Sequence, residues 1–241
     1  MKSSKEGEDL PGSTGEPQTI SHEESPPASE PMTSEEHFRR AQALTQEGKY
    51  DESIREYREA IRLDPKNLRA RNNLGFIYDQ KGNHDLAIKE YLEALELDVN
   101  SVQIRSNLGA IYGMKGMYGK AETELRKALQ LEPKNAEVLC NLGIVFYKKG
   151  LYREAIGELK KALEFNANHV TAYFYLGEAY NQLDMCDEAI AAFEKTLQAQ
   201  PNNPKAYYSL GILFDKKRMP EQAKQMYLKA KTLYREIRTK H

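Results

Sequence analysis

Cysteine is nearly absent: Cys140 and Cys186 are the only two in the chain, and they fall at different phases of the repeat that organises it. Two such thiols offer neither a redox pair nor a metal-binding spacing, which favours a reducing compartment. Long apolar runs are missing as well. No stretch approaches the roughly 18 residues of a membrane-spanning helix, and no run of about seven apolar residues follows Lys2 and Lys5, so neither a bilayer segment nor a secretory leader is read here. The expectation is a soluble, cytoplasmic protein. Charge of one sign is not in excess either, with 35 Lys and Arg against 36 Asp and Glu. Without a concentrated basic stripe, a nucleic acid or a membrane surface is not the expected partner. Apolar residues make up 40% and charged residues 29%, a balance that suits thin layers better than one deep core.

What is present divides the chain in two. Residues 1–33 carry seven acidic side chains against Lys2 and Lys5 and are rich in Ser, Pro, Glu and Gly, as in GSTGEPQ and ESPPASEP. A segment with so little to bury cannot offset its ordering entropy, so 1–33 is expected to be a disordered acidic tail. Ser25 precedes Pro26 and is a candidate phosphorylation site, set against the plainer reading of a solubilising tail.

From Ser34 onward the sequence repeats every 34 residues in six copies, over 34–67, 68–101, 102–135, 136–169, 170–203 and 204–237. A glycine recurs at Gly48, Gly82, Gly116 and Gly150, and a Leu-Gly pair at Leu74-Gly75, Leu108-Gly109, Leu142-Gly143, Leu176-Gly177 and Leu210-Gly211. Small residues recur at Ser53, Ala87, Ala121, Ala155, Ala189 and Ala223, and again at Ala60, Ala94, Ala128, Ala162, Thr196 and Ala230. Each copy reads as two amphipathic helices, because apolar residues fall at i, i+3, i+4 and i+7 and the glycine separates the two runs. Acidic starts such as Asp51-Glu52 and Asp187-Glu188 are expected to take up free N–H groups of the second helix. Pro65, Pro133 and Pro201 are expected to stop it. The small residues are expected to let helix backbones approach at crossings.

Leu-Gly, then Tyr or Phe, then Gly-x-Tyr-x-x-Ala, then Ala and Pro, resembles the tetratricopeptide repeat, over about residues 34–234. The departures are Arg40 and Ala41 for Leu-Gly in the first copy, Asp184 and Arg218 for the turn glycine, and Val99 and Ala167 for the closing proline. The resemblance implies an all-α fold, a right-handed α-solenoid of antiparallel helix pairs spanning 34–241, whose last helix runs on as a cap. It also implies that first helices line a concave groove through positions 2, 5, 6, 9, 12 and 13 of each copy, counted with Ser34, Leu68, Val102, Ala136, Val170 and Pro204 as position 1.

On that numbering Asn73, Asn107 and Asn141 share position 6 in three successive copies. An amide carries both a donor and an acceptor and can match the backbone of an extended peptide whatever its side chains. The row resembles the asparagine ladder in the superhelix of the O-linked N-acetylglucosamine transferases, and the likeness stops at the ladder, without a catalytic domain. The competing reading is that these amides bridge neighbouring repeats. Further along, Ile144, Tyr147, Phe174, Tyr175, Tyr208 and Ile212 make an apolar half able to take anchors. Arg69 and Asn72, with Arg39, Gln42, Asp79 and Gln80, make a polar half interrupted by Phe38 and Phe76. The competing reading of the aromatics is core packing.

A clamp for the C-terminal carboxylate of heat-shock chaperones would need basic side chains where Phe38, Gln103 and Asn107 stand, and a carboxylate without cations is not neutralised. Gly113, Gly116, Gly119 and Lys120 fail the spacing of a phosphate loop. His22, His37, His84, His169 and His241 lie at unrelated positions, so no metal site or Cys/His pair is built. The expectation is a non-enzymatic adaptor or scaffold, without cofactor, that binds a peptide segment of a partner protein in its groove. The alternatives are a chaperone cofactor, or an assembly subunit docking through its ends. Tyr227, Leu233, Tyr234 and Ile237 have no following repeat to cover them, which makes the last helix a candidate surface for self-association into a homo-oligomer or for docking of the N-terminal tail, set against the plainer reading of a solvated cap, which Lys229, Lys231, Arg235, Arg238 and Lys240 favour.

Overall fold

The computed structural model describes residues 31–239. The tail expectation and Ser25 therefore fall mainly on residues 1–30, outside the described residues; Thr33 is the N-cap of the first helix and forms a capping box with Glu36. Twelve helices run through the described residues: α1 (Ser34–Gln46), α2 (Tyr50–Leu63), α3 (Leu68–Gln80), α4 (His84–Leu97), α5 (Val102–Met114) and α6 (Tyr118–Leu131), followed by α7 (Ala136–Lys148), α8 (Tyr152–Phe165), α9 (Val170–Gln182), α10 (Cys186–Ala199), α11 (Pro204–Lys216) and α12 (Pro220–Thr239). They form six consecutive pairs in the expected right-handed α-solenoid.

Local chemistry sets both kinds of turn. Within a pair, Gly48, Gly82, Gly116 and Gly150 hold φ between 73° and 78°. There the N–H two residues past each C-cap reaches back into the helix, as Lys49 does to the Leu44 carbonyl at 2.9 Å. Asp184 and Arg218 make the same left-handed turn at φ 56° and 58°. Between pairs, where Val99 and Ala167 stand in place of proline, side chains make the turn, as Asp64 also does beside Pro65 by accepting the Lys66 N–H at 3.0 Å. Asp98 accepts the Asn100 N–H at 3.0 Å and Asn166 accepts the Asn168 N–H at 3.1 Å, turns that end the helix without a ring. Asn67, Asn135 and Asn203 then cap α3, α7 and α11 through their side-chain oxygens.

Two sequence expectations are corrected. The acidic starts of α2 and α10 make no side-chain cap; Asp51 and Asp187 pair with Lys81 and Lys217 of the next repeat, as Asp85 pairs with Lys115. These ties join repeats along one exposed edge. The glycine of each Leu-Gly pair makes room for a large side chain more than for a backbone. A Cβ at Gly75, Gly109, Gly143, Gly177 or Gly211 would lie between 2.5 and 2.9 Å from Tyr91, Leu125, Leu159, Phe193 or Tyr227.

Tyr57, Tyr91, Leu125, Leu159 and Phe193 are fully buried where one repeat stacks on the next. The first helices α3, α5, α7, α9 and α11 touch one another in series, whereas second helices make no comparable contact with each other among the described residues. First helices therefore run along the shorter, inner arc, and their free faces form the concave wall.

Candidate functional site

The wall is built from positions 2, 5, 6, 9, 12 and 13 of the first helices. Positions 2 and 13 are exposed in every repeat, and the residues between them are mostly half-buried, so the wall has rims of solvated side chains and a less wetted floor. Each asparagine of the row bonds to the preceding repeat. Asn73 Nδ2 donates to the Tyr57 hydroxyl at 3.2 Å, Asn107 Nδ2 to Asn72 Oδ1 at 3.3 Å, and Asn141 Nδ2 to Ser106 Oγ at 3.1 Å. Asn107 Oδ1 accepts from Gln103 at 3.0 Å, and Asn72 Nδ2 lies 3.4 Å from Asn73 Oδ1. The change of partner follows the residue beneath: Asn73 meets Tyr57, while the corresponding residue below Asn141 is Leu125, which has no hydroxyl. An amide nitrogen has two hydrogens, so Asn73 and Asn141 each keep one N–H, whereas Asn107 is also in hydrogen-bonding contact with the Tyr91 hydroxyl. Among the described residues nothing donates to Asn141 Oδ1.

In the polar half, Arg69 is exposed and its guanidinium sits 4.3 Å from the Phe38 ring centroid. Phe38 itself is 1% exposed and packs on Tyr57 at 5.9 Å; it is core, contrary to the groove position read from its spacing. Phe76 is 46% exposed. With Gln42, Thr45, Tyr57 and Asn73 it lines a cavity of about 220 Å³.

The other half is a string of rings. Tyr147 and Tyr175 meet edge to face at 5.6 Å, Tyr175 and Phe174 at 5.5 Å, and Phe174 reaches Phe193 in the core at 5.6 Å. These three groove residues therefore pack on one another and keep part of their surface outward; Ile144 and Ile212 are half-buried beside them. Phe174 and Tyr175 line a cavity of about 210 Å³ with Thr171, Asn203 and Lys205. Tyr208 is not brought to this string. It is 52% exposed and stacks near Tyr227 at 5.6 Å. There it lines a separate cleft of about 600 Å³ at the C-terminal end, with Tyr234, Lys231, Arg235 and Arg238.

One wall residue that the sequence reading passed over is Glu178. Its Oε1 accepts the Ser209 hydroxyl at 2.6 Å and its Oε2 the Tyr147 hydroxyl at 3.3 Å. The signal was available, because Glu178 occupies position 9, as Phe76, Ile144 and Ile212 do. Burial, then the Glu178 charge, pushes the Tyr147 phenol up to about 12. Tyr175 is raised as well, by burial first and then by Cys140 and Glu178. Cys140 is buried, which lifts its thiol to about 12, a value that keeps it protonated and unreactive. Among the described residues no cluster of three His, Cys, Asp or Glu could hold a metal, and no helix is long and apolar enough to cross a membrane.

Family models cover most of this wall. One described as TPR repeat matches residues 41–82, 77–116 and 114–150, and two described as tetratricopeptide repeat match 140–204 and 192–225. Among solved structures, the chain is similar to MamA, with 30% identity over 70% of this chain and 98% of that one, at a TM-score of 0.59. It is also similar to YrrB, whose structure is described as a TPR protein with an unusual peptide-binding site, with 27% identity over 73% and 91% and a TM-score of 0.55. A chain of the APC/C hetero-tetramer Cut9-Hcn1 shares the fold alone, at 22% identity and a TM-score of 0.78; the match covers 85% of this chain and 40% of that one. No curated protein sequence matches the chain.

Proposed function

Because this chain belongs to the tetratricopeptide repeat family, whose members are protein-interaction scaffolds, we propose that it acts without catalysis and binds an extended peptide segment of a partner protein along its concave wall. The observation that carries this is the unspent hydrogen-bonding capacity of Asn73 and Asn141 on a wall that also holds two cavities. One cavity holds Phe76 and the other Phe174 and Tyr175. The amides can pair with a peptide backbone irrespective of sequence, and the cavities take side-chain anchors. That YrrB is described as having a peptide-binding site supports the reading. Affinity around micromolar is expected, since ordering a flexible peptide offsets much of the contact energy. A cytoplasmic setting belongs to the same proposal, supported by two free thiols.

The test is the triple variant Asn73→Ala, Asn107→Ala, Asn141→Ala, measured against peptides selected on the full chain from a random library. Helicity should persist. Stability should fall by about 0.5–1.5 kcal/mol for each bridge removed, and peptide affinity by at least tenfold, about 1.4 kcal/mol. Unchanged affinity in a folded variant refutes the role of the row.

A second reading, docking through the C-terminal end, is favoured by the cleft around Tyr208, Tyr227 and Tyr234. At the internal junctions the counterparts of Tyr227 are fully buried, whereas Tyr227 is only half-buried and Tyr234 beside it is 46% exposed. Lys231, Arg235 and Arg238 border the cleft, so two copies meeting cleft to cleft would oppose like charges. Charge complementarity therefore favours an acidic helix of another protein over self-association.

A further inference from the structure

Three of the six carboxylates on the first helices have a basic partner. Glu35 pairs with Arg39, Asp79 with His84 and Glu137 with His169, each at 3.0 Å. Of the others, Glu36 belongs to the α1 capping box and Asp215 is exposed and accepts the Tyr227 hydroxyl. Glu178 differs from all of these. It is half-buried on the floor of the wall, and both of its oxygens are held by neutral hydroxyls, Ser209 and Tyr147.

The lysines near this end are committed elsewhere or solvated. Lys216 pairs with Asp184 at 2.8 Å and also contacts Asn181, Lys149 pairs with Glu122 at 2.7 Å, and Lys217 is held by Asp187. Lys148 and Lys205 stand exposed at the two rims. Among the described residues no cationic nitrogen forms an ion pair with Glu178. A partly desolvated carboxylate with only neutral donors keeps its negative charge uncompensated, and it attracts a cation more strongly than an exposed one does. The rings beside it act in the same direction, since Tyr147 and Tyr175 remain neutral phenols whose π-faces also favour a cation. Ile144, Ile212 and Phe174 supply apolar surface on either side.

Given the groove reading above, on which this rests, we infer that Glu178 is the specificity-determining residue of the aromatic half, and that the bound segment places a lysine or arginine against it between apolar side chains. Ser209 and Tyr147 are positioning residues. Their hydroxyls fix the carboxylate while leaving it lone pairs for the ligand's N–H groups, because each carboxylate oxygen can accept more than one bond.

The test uses random dodecapeptides displayed on phage, selected in parallel on the full chain and on its Glu178→Gln and Glu178→Lys variants. Glutamine keeps the size and an oxygen for Ser209, and circular dichroism checks that each variant is folded. The wild type should enrich Lys or Arg at one fixed distance from an apolar residue. A synthetic peptide from that set should bind Glu178→Gln at least about tenfold more weakly. Replacing its basic residue by norleucine should cost as much in the wild type and nothing further in Glu178→Gln. Glu178→Lys should enrich Asp or Glu at the same place. If the selected peptides lose binding to the triple asparagine variant but carry no basic preference, or bind Glu178→Gln equally well, the assignment to Glu178 is overturned while the groove reading stands. If no selected peptide depends on the wall residues at all, the groove reading falls and this inference with it.

Discussion

Tyr147 shows how much a single side chain's surroundings decide. Its ring lies edge to face with Tyr175, its hydroxyl donates to Glu178, and its pKa is raised from 10.0 to about 12. A phenol that ionises later in the folded state contributes stability below pH 10. That contribution is lost as pH rises through the folded value, because between about pH 10 and 12 the unfolded chain releases the proton first. Urea midpoints should therefore fall across this window, and Tyr147→Phe should fall less steeply than the wild type. A slope identical in both would show that the Tyr147 hydroxyl is not held as described. Asn73, Asn107 and Asn141 teach a related lesson. Their spacing was legible in the sequence, but whether they bridge repeats or face a ligand was not. Asn73 and Asn141 each spend one N–H on the preceding repeat and keep the other, so both readings describe part of the same amide, whereas Asn107 is held by both Asn72 and Tyr91.

At the scale of the element, the helix-loop-helix turn is nearly all local. Four of the six turns use glycine at positive φ, and the remaining two place Asp184 and Arg218 there. Asp184 has a compensation, since it pairs with Lys216 and its short polar side chain tolerates the left-handed region. Arg218 carries the steric cost, about 1–2 kcal/mol, with no ion pair to offset it among the described residues. Arg218→Gly should therefore raise stability by about 0.5–1 kcal/mol, the relief being partly cancelled by the greater freedom of glycine in the unfolded chain. Chemical denaturation measures this directly, and a loss of stability would mean that the Arg218 side chain supports the turn. The acidic helix starts were misjudged for a reason visible at this scale. A carboxylate at the second or third residue of the helix sits beyond the N-cap, and in the folded chain Asp51 and Asp187 each pair with a lysine of the following repeat.

In the solenoid each repeat touches mainly its neighbours, and among the described residues nothing stacks on the outer face of the last pair. The cleft at Tyr208, Tyr227 and Tyr234 is that face, bordered by Lys231, Arg235 and Arg238. Sedimentation of the full chain should give a monomer at micromolar concentration, because like charges oppose cleft-to-cleft pairing. A dimer lost on Tyr234→Glu would restore the self-association read from the sequence. The 34-residue period, the helix pairs, their turns and the solenoid were determined by the sequence alone, since each follows from chemistry within a few residues or from one pattern repeated six times. The tertiary structure alone decided the state of the wall: that Phe38 is core, that Tyr147, Tyr175 and Phe174 lean on one another, that Tyr208 turns to the end cleft, and that among the described residues Glu178 has no basic partner. The physical reason is one of distance. Tyr147 meets Tyr175, and Glu178 meets Tyr147 and Ser209, about one repeat apart in the chain; whether such side chains meet depends on how far each repeat rotates against the last, and the contacts within a repeat depend on how its two helices cross, neither of which a local pattern of residues encodes.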